Sequence, residues 1–151
     1  MISTRHEITV AAPVEVVWRL HTDIAAWPLW HSGVERAETS GELEVGMSFR
    51  WLTHGLDITS TVTAIEEYRS LTWGGPTSGI DGMHRWTFAP TPDGGTSVVT
   101  EEYWTGAPVD ADPDGMLALL AQSLVDWLAE LKEAVETVVA REETEGGPSG
   151  E

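Results

Sequence analysis

The chain has 151 residues, enough for one domain that buries about two-thirds of its unfolded surface around an ordinary apolar core. It contains no cysteine, which excludes a disulfide framework, a thiolate nucleophile and any Cys-ligated metal site. With 25 acidic and 8 basic residues the formal net charge is −17, which repels phosphate backbones and anionic lipid over a Debye length of roughly 8 Å, so neither nucleic acid nor a membrane is expected as a partner.

Residues 4–11 alternate, with Arg5, Glu7 and Thr9 against His6, Ile8 and Val10, the period of a half-buried strand. This start has no long apolar core of a signal peptide and no ~20-residue spanning run, so a cytoplasmic location is expected. Pro13 suits the first turn of a helix whose apolar positions Val14, Val17, Trp18 and Leu20 recur to about His21. Thr22-Asp23 offers a cap for a second short helix over 23–27, which Pro28 breaks, leaving an aromatic corner from Trp27 to His31. A strand is expected near Val34–Glu38. Another carries Met47, Phe49 and Trp51 on one face and turns at His54-Gly55, pairing Trp51 with Ile58, Phe49 with Ser60 and Met47 with Val62. Leu71-Thr72-Trp73 makes the next strand, followed by a Gly-rich loop at 74–79.

The turn Pro90–Gly95 joins strands 83–89 and 96–104. If Phe88 faces Val98, then Trp86 faces Thr100 and His84 faces Glu102; a one-residue slip brings Glu101 and Tyr103 to that face instead. Asp112-Pro113-Asp114 caps a long helix with one apolar stripe: Leu117, Leu120, Leu124, Trp127, Leu128, Leu131, Val135 and Val138. Asp126, Glu130, Glu133 and Glu136 take its wet side. The layout is α+β: a curved antiparallel sheet around a long C-terminal helix, with two short helices after the first strand. Residues 1–141 form the single domain and 142–151 a disordered acidic tail. A twisted sheet gripping one helix leaves room for a cavity between them.

Eight tryptophans against two phenylalanines and two tyrosines suit the walls of such a cavity. The expected inward set is Phe49, Trp51, Trp73, Trp86 and Trp104, with Leu124 from the helix and Ser60 and Thr100 as polar positions that orient a ligand carbonyl. The same aromatics also suit plain core packing. His84 beside Glu102 suits a general acid or base, because a carboxylate that holds the imidazole proton raises its pKa; a hydrogen-bonded structural pair is the alternative. His54 reads as a solvated turn residue, and His31 as rim or structure. Arg50, Arg85 and Glu101 fall on the outer face as solvated charges. The five histidines have no metal-ligand spacing, and no glycine pattern binds a phosphate, so no metal or cofactor is expected. The loops 74–82 and 105–113 lie near one end of the cavity and suit either a gate or ordinary connections.

The helix start Ala12–Trp18, the corner Asp23–Trp30, and the segments Gly46–Trp51, Leu71–Gly75, Met83–Phe88 and Trp127–Lys132 resemble the START-like, Bet v 1-type (SRPBCC) superfamily, in particular its bacterial polyketide cyclase/dehydrase-like members, over nearly the whole chain. The resemblance implies the helix-grip fold and a pocket for a small hydrophobic, polyketide-like molecule. It also implies a cofactor-independent cyclase or dehydratase of secondary metabolism, in which His84 and Glu102 assist enolisation or loss of water. Two other roles are open to the fold: a carrier that sequesters a hydrophobic metabolite, and a co-chaperone-like interaction protein. A monomer or homodimer is expected.

Overall fold

The computed structural model describes residues 1–145. Strands β1 (Ile2–Val10), β2 (Val34–Thr39), β3 (Ser48–Thr53), β4 (Leu56–Glu66), β5 (Ser70–Thr77), β6 (Ile80–Pro90) and β7 (Thr96–Thr105) form one antiparallel sheet in the order β1-β7-β6-β5-β4-β3-β2. Between β1 and β2 lie helix α1 (Val14–Thr22) and a 3-10 helix (Ile24–Leu29); after β7 come α2 (Ala107–Ala111) and α3 (Pro113–Glu145). This is the α+β helix-grip layout: from β2 to β7 each strand pairs with the next in the chain, β1 closes the sheet beside β7, and α3 lies across the inner face.

Several local expectations change. Pro13 stands just before α1 rather than in its first turn, with φ −62° and ψ 154°, and its carbonyl accepts from Val16 and Val17. The 3-10 helix passes through Pro28 to Leu29, because Pro lacks only the N–H that a short i→i+3 helix can forgo. Asp23 makes no side-chain cap there, and the Thr22 hydroxyl donates instead to Trp18 O at 2.7 Å. The Gly-rich stretch read as a loop, either a gate or an ordinary connection, is mostly strand: β5 runs to Thr77 and β6 starts at Ile80, leaving only Ser78-Gly79 as a two-residue turn with both φ positive. The second expected loop, 105–113, contains α2, whose Val109 is buried.

Helix α3 begins as the sequence indicates. Asp112 Oδ1 accepts the Gly115 N–H at 3.1 Å and its carbonyl accepts from Met116, a capped first turn. Leu120, Leu124, Trp127, Leu128, Leu131 and Val135 are buried, while Leu117 is exposed and Val138 only half-buried, because the first and last turns overhang the core. Burial of each such side chain stabilises by about 1.5–3 kcal/mol, which is what holds the helix to the sheet. Two residues of the expected wet side act as ties: Glu130 accepts from Ser32 N, and Glu136 accepts from Ala11 N. The helix continues to Glu145, past the expected boundary at 141; residues 146–151 of the expected tail lie outside the described residues.

Candidate functional site

The register along β6 and β7 is the one that pairs Phe88 with Val98, Trp86 with Thr100 and His84 with Glu102; Glu101 pairs with Arg85 on the other face. Across the sheet, Trp73 pairs with His84, so Trp73, His84 and Glu102 form one inward row. The next row toward the β5–β6 turn is Gly75, Gly82 and Trp104. Two glycines side by side leave the inner face without side chains there, and a cavity of about 260 Å³ opens between the sheet and α3.

Trp51, Ser60, Trp73, His84, Glu102 and Trp104 line this cavity, as expected, and Trp127, Leu119, Leu120 and Ser123 close it from α3. Phe49, Trp86, Thr100 and Leu124, expected against a ligand, lie on the correct face but are packed behind the wall. Phe49 sits edge-on to Trp27 and Trp73 at 5.5 and 5.4 Å between ring centroids, and Trp86 is 4.3 Å from the His21 ring. Thr100 is spent on a hydrogen bond to His84, and Leu124 is core. His31, read from the sequence as rim or structure, and His54, read as a solvated turn residue, both line the cavity. Their place depends on how the corner and the β3–β4 turn dock beside α3, for which strand alternation gives no signal.

A chain of close polar contacts, hydrogen-bonded at both ends, crosses one wall. The Trp104 indole N–H donates to Glu102 Oε2 at 2.9 Å, Glu102 Oε1 lies 3.1 Å from His84 Nδ1, and His84 Nε2 lies 2.6 Å from Thr100 Oγ1. Gly82 makes the first link possible, since a Cβ there would stand 3.0 Å from Trp104 Cδ1. Burial pushes the Glu102 carboxyl up to about 7, partly offset by the Trp104 N–H. The expected rise at His84 does not occur: burial first, and then His21 and His31, hold it well below the ordinary histidine value. The sequence shows the partner but not the depth, and at 2% side-chain exposure desolvation wins.

His31 has a second polar arrangement. Its Nδ1 accepts the Gly33 N–H at 3.1 Å, with Glu130 Oε1 3.4 Å away. Burial lowers its pKa to about 4 against the opposing Glu130 carboxylate. The Arg50–Asp57 pair lies on the outer face at half or more exposure, as expected of solvated charges. Among the described residues no three of His, Asp or Glu gather as metal ligands, and no helix is long and apolar enough to cross a membrane.

Solved structures share this architecture. The Zhui aromatase/cyclase from Streptomyces sp. R1128 superposes with a TM-score of 0.78 at 18% identity, over 91% of this chain and 95% of that one. A protein from Thermus thermophilus gives 0.78 at 20%, over 91% and 99%. A START superfamily protein from Mycobacterium smegmatis gives 0.75 at 15%, over 90% and 98%. At these identities the likeness shows the fold. A family model described as "Polyketide cyclase / dehydrase and lipid transport" matches residues 1–148, and the chain belongs to that family.

Proposed function

We propose that the protein binds a small hydrophobic carbonyl compound between its sheet and α3 and catalyses loss of water from it, with Glu102 as the proton carrier. The observation that carries this reading is a half-buried carboxyl that lines a tryptophan-rich cavity and has Trp104 on one oxygen and His84 beside the other; its desolvation pushes the pKa up to about 7. A group with that pKa takes and returns protons near neutrality without strong bias.

For a β-hydroxy ketone the step balances within the substrate and one side chain. The Glu102 carboxylate takes the α-proton, and the C–H electron pair becomes an enolate. The enolate collapses, the β-carbon–oxygen bond breaks, and the departing oxygen takes the same proton from Glu102 and leaves as water. A carbon–carbon double bond remains and Glu102 is a carboxylate again. His84 is a positioning residue: while neutral it has one N–H, which points from Nδ1 to the ionised Glu102 when Thr100 Oγ1 donates to Nε2. The family description and the likeness to an aromatase/cyclase support this reading.

Native mass spectrometry of the purified protein, then denaturing extraction of whatever small molecule co-purifies, supplies the compound to test. Turnover that collapses in Glu102→Gln while affinity stays within about threefold supports catalysis. Tight binding with no turnover in the parent protein assigns the cavity to a carrier. Failure to bind any hydrophobic probe removes the cavity reading and leaves a surface-mediated role in protein interaction.

A further inference from the structure

Size, charge and one fixed tautomer narrow what this cavity takes. A cavity of about 150 Å³ holds a benzene, so one of about 260 Å³ holds on the order of ten non-hydrogen atoms, a bicyclic rather than a long folded chain. None of its lining residues is Lys or Arg, and its two buried histidines, His31 and His84, are kept neutral by desolvation. Apart from His54 at the exposed β3–β4 turn, a ligand carboxylate therefore finds no basic side chain to pair with and meets Glu102, in a protein of net charge −17.

His31 supplies the polar group opposite in character to Glu102. Nδ1 has two neighbours, the Gly33 N–H at 3.1 Å and Glu130 Oε1 at 3.4 Å; only the first makes a hydrogen bond, and a nitrogen that accepts it carries no proton, so the neutral imidazole holds its proton on Nε2. Among the described residues no group accepts from Nε2. The sealed, unpartnered ring nitrogens of the interior belong to His21, Trp30, Trp86 and Trp127, and His31 Nε2 is not one of them. In a ring only 5% exposed, a nitrogen that is neither bonded nor sealed is reached from open space, and the cavity is the open space that His31 lines. His31 and His84 pack on the same indole, Trp127, at 4.5 and 5.3 Å between centroids, which puts both beside one wall of the cavity. A neutral imidazole N–H is a suitable electrophile for a carbonyl oxygen that gains charge as an enolate forms.

We infer that the cavity selects a neutral, bicyclic-sized ketone, with His31 Nε2–H holding the carbonyl oxygen while Glu102 faces the carbon chemistry. The inference rests on the function proposed above and adds a substrate class and a specificity residue to it.

Calorimetric titration at pH 8 with four matched probes tests it: 1-tetralone, tetralin, tetralin-1-carboxylate and 1-aminotetralin. The ketone is expected to bind about tenfold tighter than tetralin, the worth of one satisfied buried donor, and the carboxylate weakest of all. His31→Phe is expected to erase the ketone's advantage and leave tetralin affinity unchanged. Long-range proton–nitrogen NMR of the unliganded protein, which needs no variant, is expected to show His31 protonated on Nε2. Equal binding of ketone and tetralin, a preference for the carboxylate or the amine, or a proton on Nδ1 overturns the assignment to His31 even if Glu102→Gln still abolishes turnover. If none of the four binds, it is the cavity function itself that falls.

Discussion

The two ends of the inner sheet face each bury a histidine, and their surroundings are opposite. His21 is fully buried against Trp86, Phe88, Trp27 and Trp73, and neither ring nitrogen has a partner. His84, on β6 one row from Trp86, is nearly as deep but has a polar neighbour at both nitrogens and lines the cavity. Large side chains at Leu71, Trp86 and Phe88 fill the first end, while Gly75 and Gly82 empty the second. The contrast teaches that burial alone silences a titratable group; a polar partner beside a vacancy is what makes one available for chemistry.

The largest way to break this contrast is Glu102→Gln, expected to cost about 10²–10⁴-fold in kcat while stability above pH 7 holds or rises, because Gln brings no charge to desolvate. Steady-state rates and urea midpoints on the same preparations check it, and an unchanged rate sinks the proton-carrier role. Next, Trp86→Ala at the filled end is expected to cost about 3–5 kcal/mol of stability, and Trp51→Ala at the cavity end half of that or less while abolishing ligand binding. Urea denaturation with and without ligand separates the two, and similar losses at both sites would show that the ends are energetically alike.

A third experiment uses pH. Burial, with some help from His31, lowers the folded-state pKa of His21 to about 3 from 6.5, so between those values the unfolded chain binds the proton and the folded one does not. Stability from this group is thus complete above pH 6.5 and falls as pH drops toward 3, at about 1.4 kcal/mol per unit. Glu102 has the opposite sign: raised from 4.5 to about 7, it favours the folded state at low pH and loses that contribution as pH rises through this window. His21→Phe is therefore expected to stabilise more at pH 5 than at pH 7, read from urea midpoints; equal gains would mean His21 is not held neutral by the fold. The smallest effect is the most local. Trp104→Phe removes the N–H that favours ionised Glu102, so the inflection of kcat/KM near pH 7 is expected to move upward by less than one unit, and a downward move contradicts that bond's role.

The pair His84–Glu102 was legible because alternation along two strands and the turn Pro90–Gly95 narrow the register to this one or a one-residue slip, and the structure takes the first. The pairing of Phe49 with Ser60 was legible for the same reason from His54-Gly55. The direction of the His84 shift was not, since depth is a property of the packed domain and not of a neighbour in the ladder. Gly74–Gly82 read as a loop because Gly and Pro are turn residues, yet here they extend two strands and create the vacancy by lacking side chains. His31 and His54 sit on a corner and a turn, where no periodicity says which way a side chain faces. Phe49 and Trp86 were placed on the proper face, but whether an inward aromatic lines a void or fills it depends on what lies across from it.

The ties of α3 to the rest of the molecule are unevenly placed. Glu130 to Ser32, Lys132 to Thr9 and Glu136 to Ala11 all lie in its second half. Among the described residues no side chain from 113–123, the stretch that roofs the cavity and carries exposed Leu117 and Leu119, hydrogen-bonds to the sheet. A rod clamped at one end bends at the other. Amide hydrogen exchange should accordingly grade along the helix, fastest in its first three turns and slowest near Leu131, so that a ligand gains admission by local fraying of the roof while the hydrophobic seam beyond it stays shut.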